Sequence, residues 1–209
     1  MTTAEPIRFI PPEAPEDRAR ADLYALIARL FYAPPETGLL QALAEADEIV
    51  GEDDSLALAE AWGALQAACA ATDEEAAQDE YDTLLIGVGK AVVPPYVSAY
   101  VERSGEQGGP DGLLVGLRAY LAARGLGRQA SVSEPEDHVA ALCELMRHLI
   151  SVQQAGLDEQ RECFHRFIYP GAVRMCEALL AAEGANFYKA VARFAKAFLE
   201  LEHTAFEMQ

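Results

Sequence analysis

The chain has 209 residues, with 34 Asp and Glu against 16 Lys and Arg, for a formal net charge of −18. That length holds one large domain or two small ones around a sizeable core. The charge repels nucleic acid and anionic membrane and attracts basic partners, although solubility alone also accounts for such a balance. It is uneven: residues 1–100 hold 19 acids and 5 bases, the remainder 15 and 11.

The first twenty residues are Pro-rich and lack the basic-then-apolar layout of a secretory signal, and no apolar run approaches the length of a membrane span. Cys69, Cys143, Cys163 and Cys176 form no CxxC pair, which points to a reduced, cytoplasmic protein. Residues 1–15 read as an irregular tail and 16–209 as a single helical domain. Leu23, Leu26, Ile27, Leu30 and Phe31 predict a helix from Glu16 to Tyr32, stopped by Pro34-Pro35. A second helix is predicted over 37–50 and a third over 55–71, carrying Leu58, Trp62, Leu65 and Cys69 on one stripe. Thr72 and Glu75 have capping-box spacing for a fourth, which leads into Tyr81.

The stretch from Tyr81 to Tyr100, YDTLLIGVGKAVVPPYVSAY, breaks the helical pattern. Gly87, Gly89 and Pro94-Pro95 bar a continuous helix, yet the segment is mostly apolar. Such a loop is either buried or a binding surface. It has room for an extended stretch at 89–97, with no partner strand in view. Beyond it come a short helix over 96–103, a Gly-rich connection at 104–112, a helix around Leu113 to Leu121 and a second linker at 125–132. The two linkers mark a candidate hinge between subdomains within 104–132. Ser133 and Glu136 repeat the capping-box spacing, with Pro135 in the first turn of a helix reaching Ala155 and closed by Gly156. Three more helices are predicted over 157–168, 171–183 and 186–206, broken at Tyr169-Pro170-Gly171 and at Gly184, the last capped by Asn186. The class is all-α, a bundle of about nine or ten helices.

Most candidate chemistry fails on spacing. IGVGKA lacks the first Gly and the Ser or Thr of a phosphate loop, having Leu84 and Ala91 there. Glu134 with His138, and Glu144 with His148, are i,i+4 pairs on one predicted helix, whereas a carboxylate-bridged bundle wants i,i+3 pairs on two helices. A metal-binding enzyme using these four residues remains an alternative that capping and surface pairing explain more simply. Cys163 and His165 flank Phe164, a weak metal signal alone. No catalytic constellation is assigned, and no metal or cofactor. The binding elements are the apolar loop and Glu134-Pro135-Glu136-Asp137-His138, where three carboxylates could receive a guanidinium.

The pattern Tyr81-x-x-Leu84-Leu85-x-Gly87-x-Gly89, then Pro94-Pro95-Tyr96-x-Ser98-x-Tyr100, resembles the signature of the TorD/DmsD/NarJ family of redox-enzyme maturation chaperones. EPEDH at 134–138 with Glu144-Leu145-Met146, then Phe167-x-Tyr169-Pro170, Phe187-Tyr188 and Phe198-Leu199-x-Leu201-Glu202, extend the match from about 20 to 202. Gly87-Val88-Gly89 departs from the family's Gly-Pro-Gly, and Gly171 stands where an aromatic is usual. The resemblance implies an all-helical TorD/DmsD-like fold. It implies a cytoplasmic chaperone that binds the twin-arginine signal peptide and apo form of a molybdopterin oxidoreductase subunit and assists cofactor insertion before export. A NarJ-like assembly chaperone of a non-exported subunit is the alternative within the family. Carried over, Leu84, Leu85, Pro94, Pro95, Tyr96, Ser98, Tyr100, Glu134, Asp137 and His138 form the signal-peptide site. Weak GTP binding is implied by resemblance only, as is a monomer or domain-swapped dimer; no nucleic acid and no stable membrane insertion are expected.

Overall fold

A computed structural model describes residues 14–51, 55–87, 89–102, 109–127 and 135–208. Among them are nine α-helices and no strand: α1 (Pro15–Tyr32), α2 (Thr37–Ala44), α3 (Leu56–Ala71), α4 (Glu74–Tyr81), α5 (Gly109–Ala123), α6 (Val139–Ser151), α7 (Leu157–Cys163), α8 (Tyr169–Ala181) and α9 (Phe187–Glu207). The all-α bundle read from the apolar spacing is therefore the fold. None of these helices is long and apolar enough to cross a membrane.

The longest helix, α9, buries Phe187, Val191, Phe194, Phe198 and Leu199 along one face and lies against α3 and α8, with α4 and α1 beside its ends. Apolar residues at i, i+3, i+4 and i+7 give it that stripe, and packing of the stripe supplies most of the stability of such a helix. On the other side α1 runs along α6, where Tyr24, Ile27, Leu30 and Phe31 face Leu142, Cys143, Met146 and Leu149. Near its C-terminus α9 is tied to α1 by Glu202, which is buried and accepts two hydrogen bonds from Arg20, at 2.7 and 2.8 Å, and one from Tyr24 at 2.9 Å. A bidentate guanidinium and a phenol satisfy the carboxylate, the condition under which a buried charge is tolerated.

The helix boundaries depart from the sequence pattern where side chains from elsewhere take over the caps. Helix α2 stops at Ala44 rather than 50, because Gln66 and Trp62 of α3 donate to the carbonyls of Ala46 and Asp47 at 2.6 and 2.9 Å. The cap of α4 is Asp73, accepting the Ala76 amide at 2.8 Å, and not Thr72. Asn186 stands at the N-cap of α9 but does not cap it with its side chain. Glu80 of α4 does so instead, accepting the backbone amides of Asn186, Phe187 and Tyr188 at 2.8, 3.1 and 2.6 Å. Glu74 performs the same service for α2, accepting the amide and hydroxyl of Thr37. Those bonds hold the Glu74 carboxyl below its ordinary value, so its support is present at neutral pH and fades as acid protonates it.

Two further departures concern π-helical turns. The predicted break at 169–171 is absent: α7 runs through a π turn, Phe164–Ile168, directly into α8. The Tyr169 amide reaches back five residues to the Phe164 carbonyl, and the wider turn carries the helix past Pro170, which lacks an amide to donate. A second π turn, Asp82–Ile86, extends α4 and ends at Gly87, whose φ of +69° and closeness to Lys90 admit no side chain. The tail residues 1–13 and parts of both predicted linkers, 104–108 and 128–132, lie outside the described residues, as do 103, 133 and 134.

Glu80→Gln removes the charge from three amide contacts at the start of α9 while keeping the side-chain length. The expected loss is about 1–3 kcal/mol of unfolding free energy, measured by urea denaturation.

Candidate functional site

The two sequence elements singled out for binding, far apart along the chain, meet through backbone. Tyr96 and His138 form an isolated antiparallel bridge. Val97 donates to the Asp137 carbonyl at 3.0 Å, and Val139 donates to the Pro95 carbonyl at 2.9 Å. The extended stretch that lacked a partner in the sequence thus pairs with the residue before α6. Pro95 offers only a carbonyl, and only its carbonyl is used.

Side chains lock this junction. Asp137, 2% exposed, accepts the Ser98 amide through Oδ2 at 3.1 Å. His138, 5% exposed, takes the Ala140 amide on Nδ1 at 3.2 Å and so caps α6, with its ring edge-on to Tyr96 at 5.4 Å. Helix α6 accordingly begins at Val139, and Pro135 and Glu136 lie in the turn before it rather than in its first turn. Ser133 of the expected capping box lies outside the described residues. Gly156, expected to close this helix, is instead the N-cap of α7. Val97–Tyr100 forms a 3-10 turn in place of the expected helix over 96–103. Tyr100 donates its hydroxyl to the Pro94 carbonyl at 3.0 Å, and burial raises its phenol above the ordinary range. Gly171 of α8 lets this turn seat closely, since a Cβ there would lie 2.3 Å from the Val97 carbonyl oxygen.

Beside the junction a cavity of about 590 Å³ opens between α1, α5 and α6. Its apolar wall includes Ala28, Tyr32, Leu117, Leu121, Ala141 and Leu145. Its polar lining is Glu136, His138, Glu144 and His148 with Arg29 and Arg147. Both lining carboxylates hold arginines of the chain itself: Glu136 binds Arg118 at 3.3 Å and Glu144 binds Arg147 at 2.8 Å.

The predicted site residues divide between this cavity and the core. His138 lines the cavity; Asp137, Pro95, Tyr96 and Ser98 build the bridge at its edge. Leu84 and Leu85 are 1% and 2% exposed and pack inside. Leu84 borders a separate cavity of about 610 Å³ near the start of α9, and reaches the junction only through its carbonyl, which accepts the Val93 amide at 2.8 Å. Pro94 and Tyr100 are half-buried flanks of the loop, and Glu134 lies outside the described residues. The sequence argument missed the apolar wall supplied by α1 and α5, whose residues look like ordinary core positions. The one available signal was Tyr32, a large aromatic directly before the Pro34-Pro35 stop, 63% exposed. Of the alternative metal set, His138, Glu144 and His148 line the same cavity. They do not draw three ligand atoms together; among the described residues only His165, His203 and Glu207 do so.

The family model for the nitrate reductase delta subunit matches residues 52–200. The chain belongs to this family, the TorD/NarJ family of the motif resemblance. It is also similar to the chaperone protein TorD of Shewanella loihica (strain ATCC BAA-1088 / PV-4), 26% identical over 208 residues that cover 91% of this chain and 94% of the relative. The matched span runs from the end of the α2–α3 connection through most of α9. It therefore contains both halves of the Tyr96–His138 junction, and leaves α1 with its share of the cavity wall outside.

Asp137→Ala leaves the Val97 bond in place and strips the acceptor from the Ser98 amide. Hydrogen exchange is expected to speed at Ser98 far more than at Val97, with a stability loss of about 1–3 kcal/mol.

Proposed function

We propose that the chain is a maturation chaperone for a molybdopterin oxidoreductase subunit, and that it receives the twin-arginine leader of that subunit in the cavity between α1, α5 and α6. Family membership supports the chaperone role. The observation that carries the leader reading is the joining of the apolar loop to the acidic motif at the edge of a mostly apolar groove that has two carboxylates in its lining. A leader consists of a basic pair followed by an apolar stretch. Such a segment docks as an amphipathic helix laying its apolar face into a groove, while carboxylates take guanidinium groups through charge-assisted hydrogen bonds. Tyr32, Leu121 and Leu126 offer the accessible apolar floor, over the buried Leu117 and Leu145; Glu136 and Glu144 offer the anionic rim. Holding the leader would keep the apo subunit from export while its cofactor is inserted.

The family description, a nitrate reductase delta subunit, favours a second reading in which the client is a non-exported subunit with a remnant leader. Both readings use one groove and differ in which N-terminal peptide fills it.

Ala141 is exposed and lines the groove, so Ala141→Trp obstructs it without disturbing the core. Calorimetric titration with twin-arginine leader peptides is expected to give saturable binding that weakens at least tenfold in Ala141→Trp, about 1.4 kcal/mol. Absence of binding by any molybdoenzyme leader, or binding that ignores the tryptophan, defeats the leader reading. Binding confined to the N-terminus of a cytoplasmic subunit selects the second.

A further inference from the structure

The π turn between α7 and α8 brings a further group of polar side chains against the C-terminal end of α9. It carries His165 to the last turns of α9, beside His203 and Glu207. The His165 Nε2 lies 3.0 Å from the His203 Nδ1 and 3.8 Å from a Glu207 carboxylate oxygen. One ligand atom from each residue falls within 4.8 Å of the other two.

We propose that His165, His203 and Glu207 form a binding site for a divalent transition metal of the Zn²⁺ type. A tetrahedral zinc with nitrogen and oxygen ligands at about 2.0–2.1 Å sets neighbouring ligand atoms roughly 3.3–3.4 Å apart. The observed 3.0 and 3.8 Å straddle that spacing. Two imidazoles with one carboxylate are a donor set suited to zinc, and three protein ligands leave a fourth position for water or a further group. The i,i+4 spacing of His203 and Glu207 sets both on one face of α9, and the third ligand comes from a different element.

The two rings are already held in place. His203 stacks on Tyr169 at 4.2 Å with an interplanar angle of 18°, and His165 stands against Phe164 and Phe206 at 5.4 and 6.0 Å. Glu207 is largely exposed and can turn in to complete the set. Two arginines nearby would oppose a cation, but each is engaged: Arg161 pairs with Asp158 and Arg166 with Glu162. The four cysteines do not compete, since all are buried. A bound ion would tie the last turn of α9 to the π turn. Nothing in this site touches the groove, so the leader reading stands or falls separately.

The test uses the full chain, stripped with chelator and titrated with ZnCl₂, and with Co²⁺ as a spectroscopic probe. Expected are one ion per chain, visible cobalt bands of a four-coordinate site, and a melting temperature raised by about 5–10 °C at a hundredfold excess over Kd. His165→Ala, His203→Ala and the exposed Glu207→Gln are each expected to weaken binding at least tenfold, and Glu102→Gln, which touches only Arg174 on another face, to leave it unchanged. Glu207→Gln keeps the test open if a histidine variant does not fold. The proposal is overturned if the wild-type chain binds neither ion, or if stoichiometric binding survives Glu207→Gln and His203→Ala. A close imidazole pair that is only hydrogen-bonded gives the first of these results.

Discussion

Two backbone hydrogen bonds, from Val97 to Asp137 and from Val139 to Pro95, hold the candidate site together. Every other feature of the junction depends on them. Without the pairing, the Ser98 amide does not find the Asp137 carboxylate and Tyr96 does not meet the His138 ring. The loop around Pro94-Pro95 would also have no reason to be extended. An isolated bridge is a weak element in itself. Here it is surrounded by buried side chains, and a buried amide left unpaired costs far more than a made bond contributes. The Asp137 carboxylate and the His138 ring therefore act first on backbone: one secures the loop, the other caps the helix.

The strong negative charge has a structural share. In the short helix α4, Asp73 caps its own helix, Glu74 caps α2 and Glu80 caps α9. All three point at amides at helix N-termini, where a carboxylate gains from the macrodipole as well as from the hydrogen bond. Part of the acidity of residues 1–100 thus stabilises helix ends rather than attracting a basic partner. At the other end of α9 a different use is made of an acid: Glu202 is buried against Arg20 and Tyr24 rather than aimed at helix-end amides.

The fold was legible in the sequence because α1, α3, α6 and α9 carry long apolar stripes at helical period, and a stripe of that kind has few uses besides a core. The caps were less legible. Thr72, Ser133 and Asn186 had the right chemistry for local capping, but the caps seen at α4, α6 and α9 are Asp73, His138 and Glu80, the last from a distant helix. Local spacing carries no information about a carboxylate arriving from 106 residues away. The same limit applied to Tyr169-Pro170-Gly171. A proline reads as a stop, and only the geometry reveals that a π turn absorbs it. At the site, Asp137, His138, Pro95 and Tyr96 were identified as a pair of motifs, but not as one bridge. Leu84 and Leu85 read as groove residues and lie in the core, while the groove lining also drew on Leu117 and Leu121, which read as an ordinary amphipathic stripe, and on Leu145, which the sequence placed only in the second motif.

On the proposed reading, the polar and apolar parts of the groove do different work. Glu136 and Glu144 already hold Arg118 and Arg147 at partly exposed positions. A guanidinium arriving from a leader would exchange with one that is present, and exposed pairs of this kind are worth about 0–1 kcal/mol. The net gain from the exchange is therefore small. Each leucine-sized side chain buried on the floor contributes about 1.5–3 kcal/mol, so two of them outweigh the whole charged rim. Affinity would then follow the apolar stretch of the peptide, while the arginine pair fixes its direction and register. The salt dependence of such a complex would be modest despite the net charge of −18, because among the described residues the carboxylates lining the groove are Glu136 and Glu144, with Arg29 and Arg147 beside them.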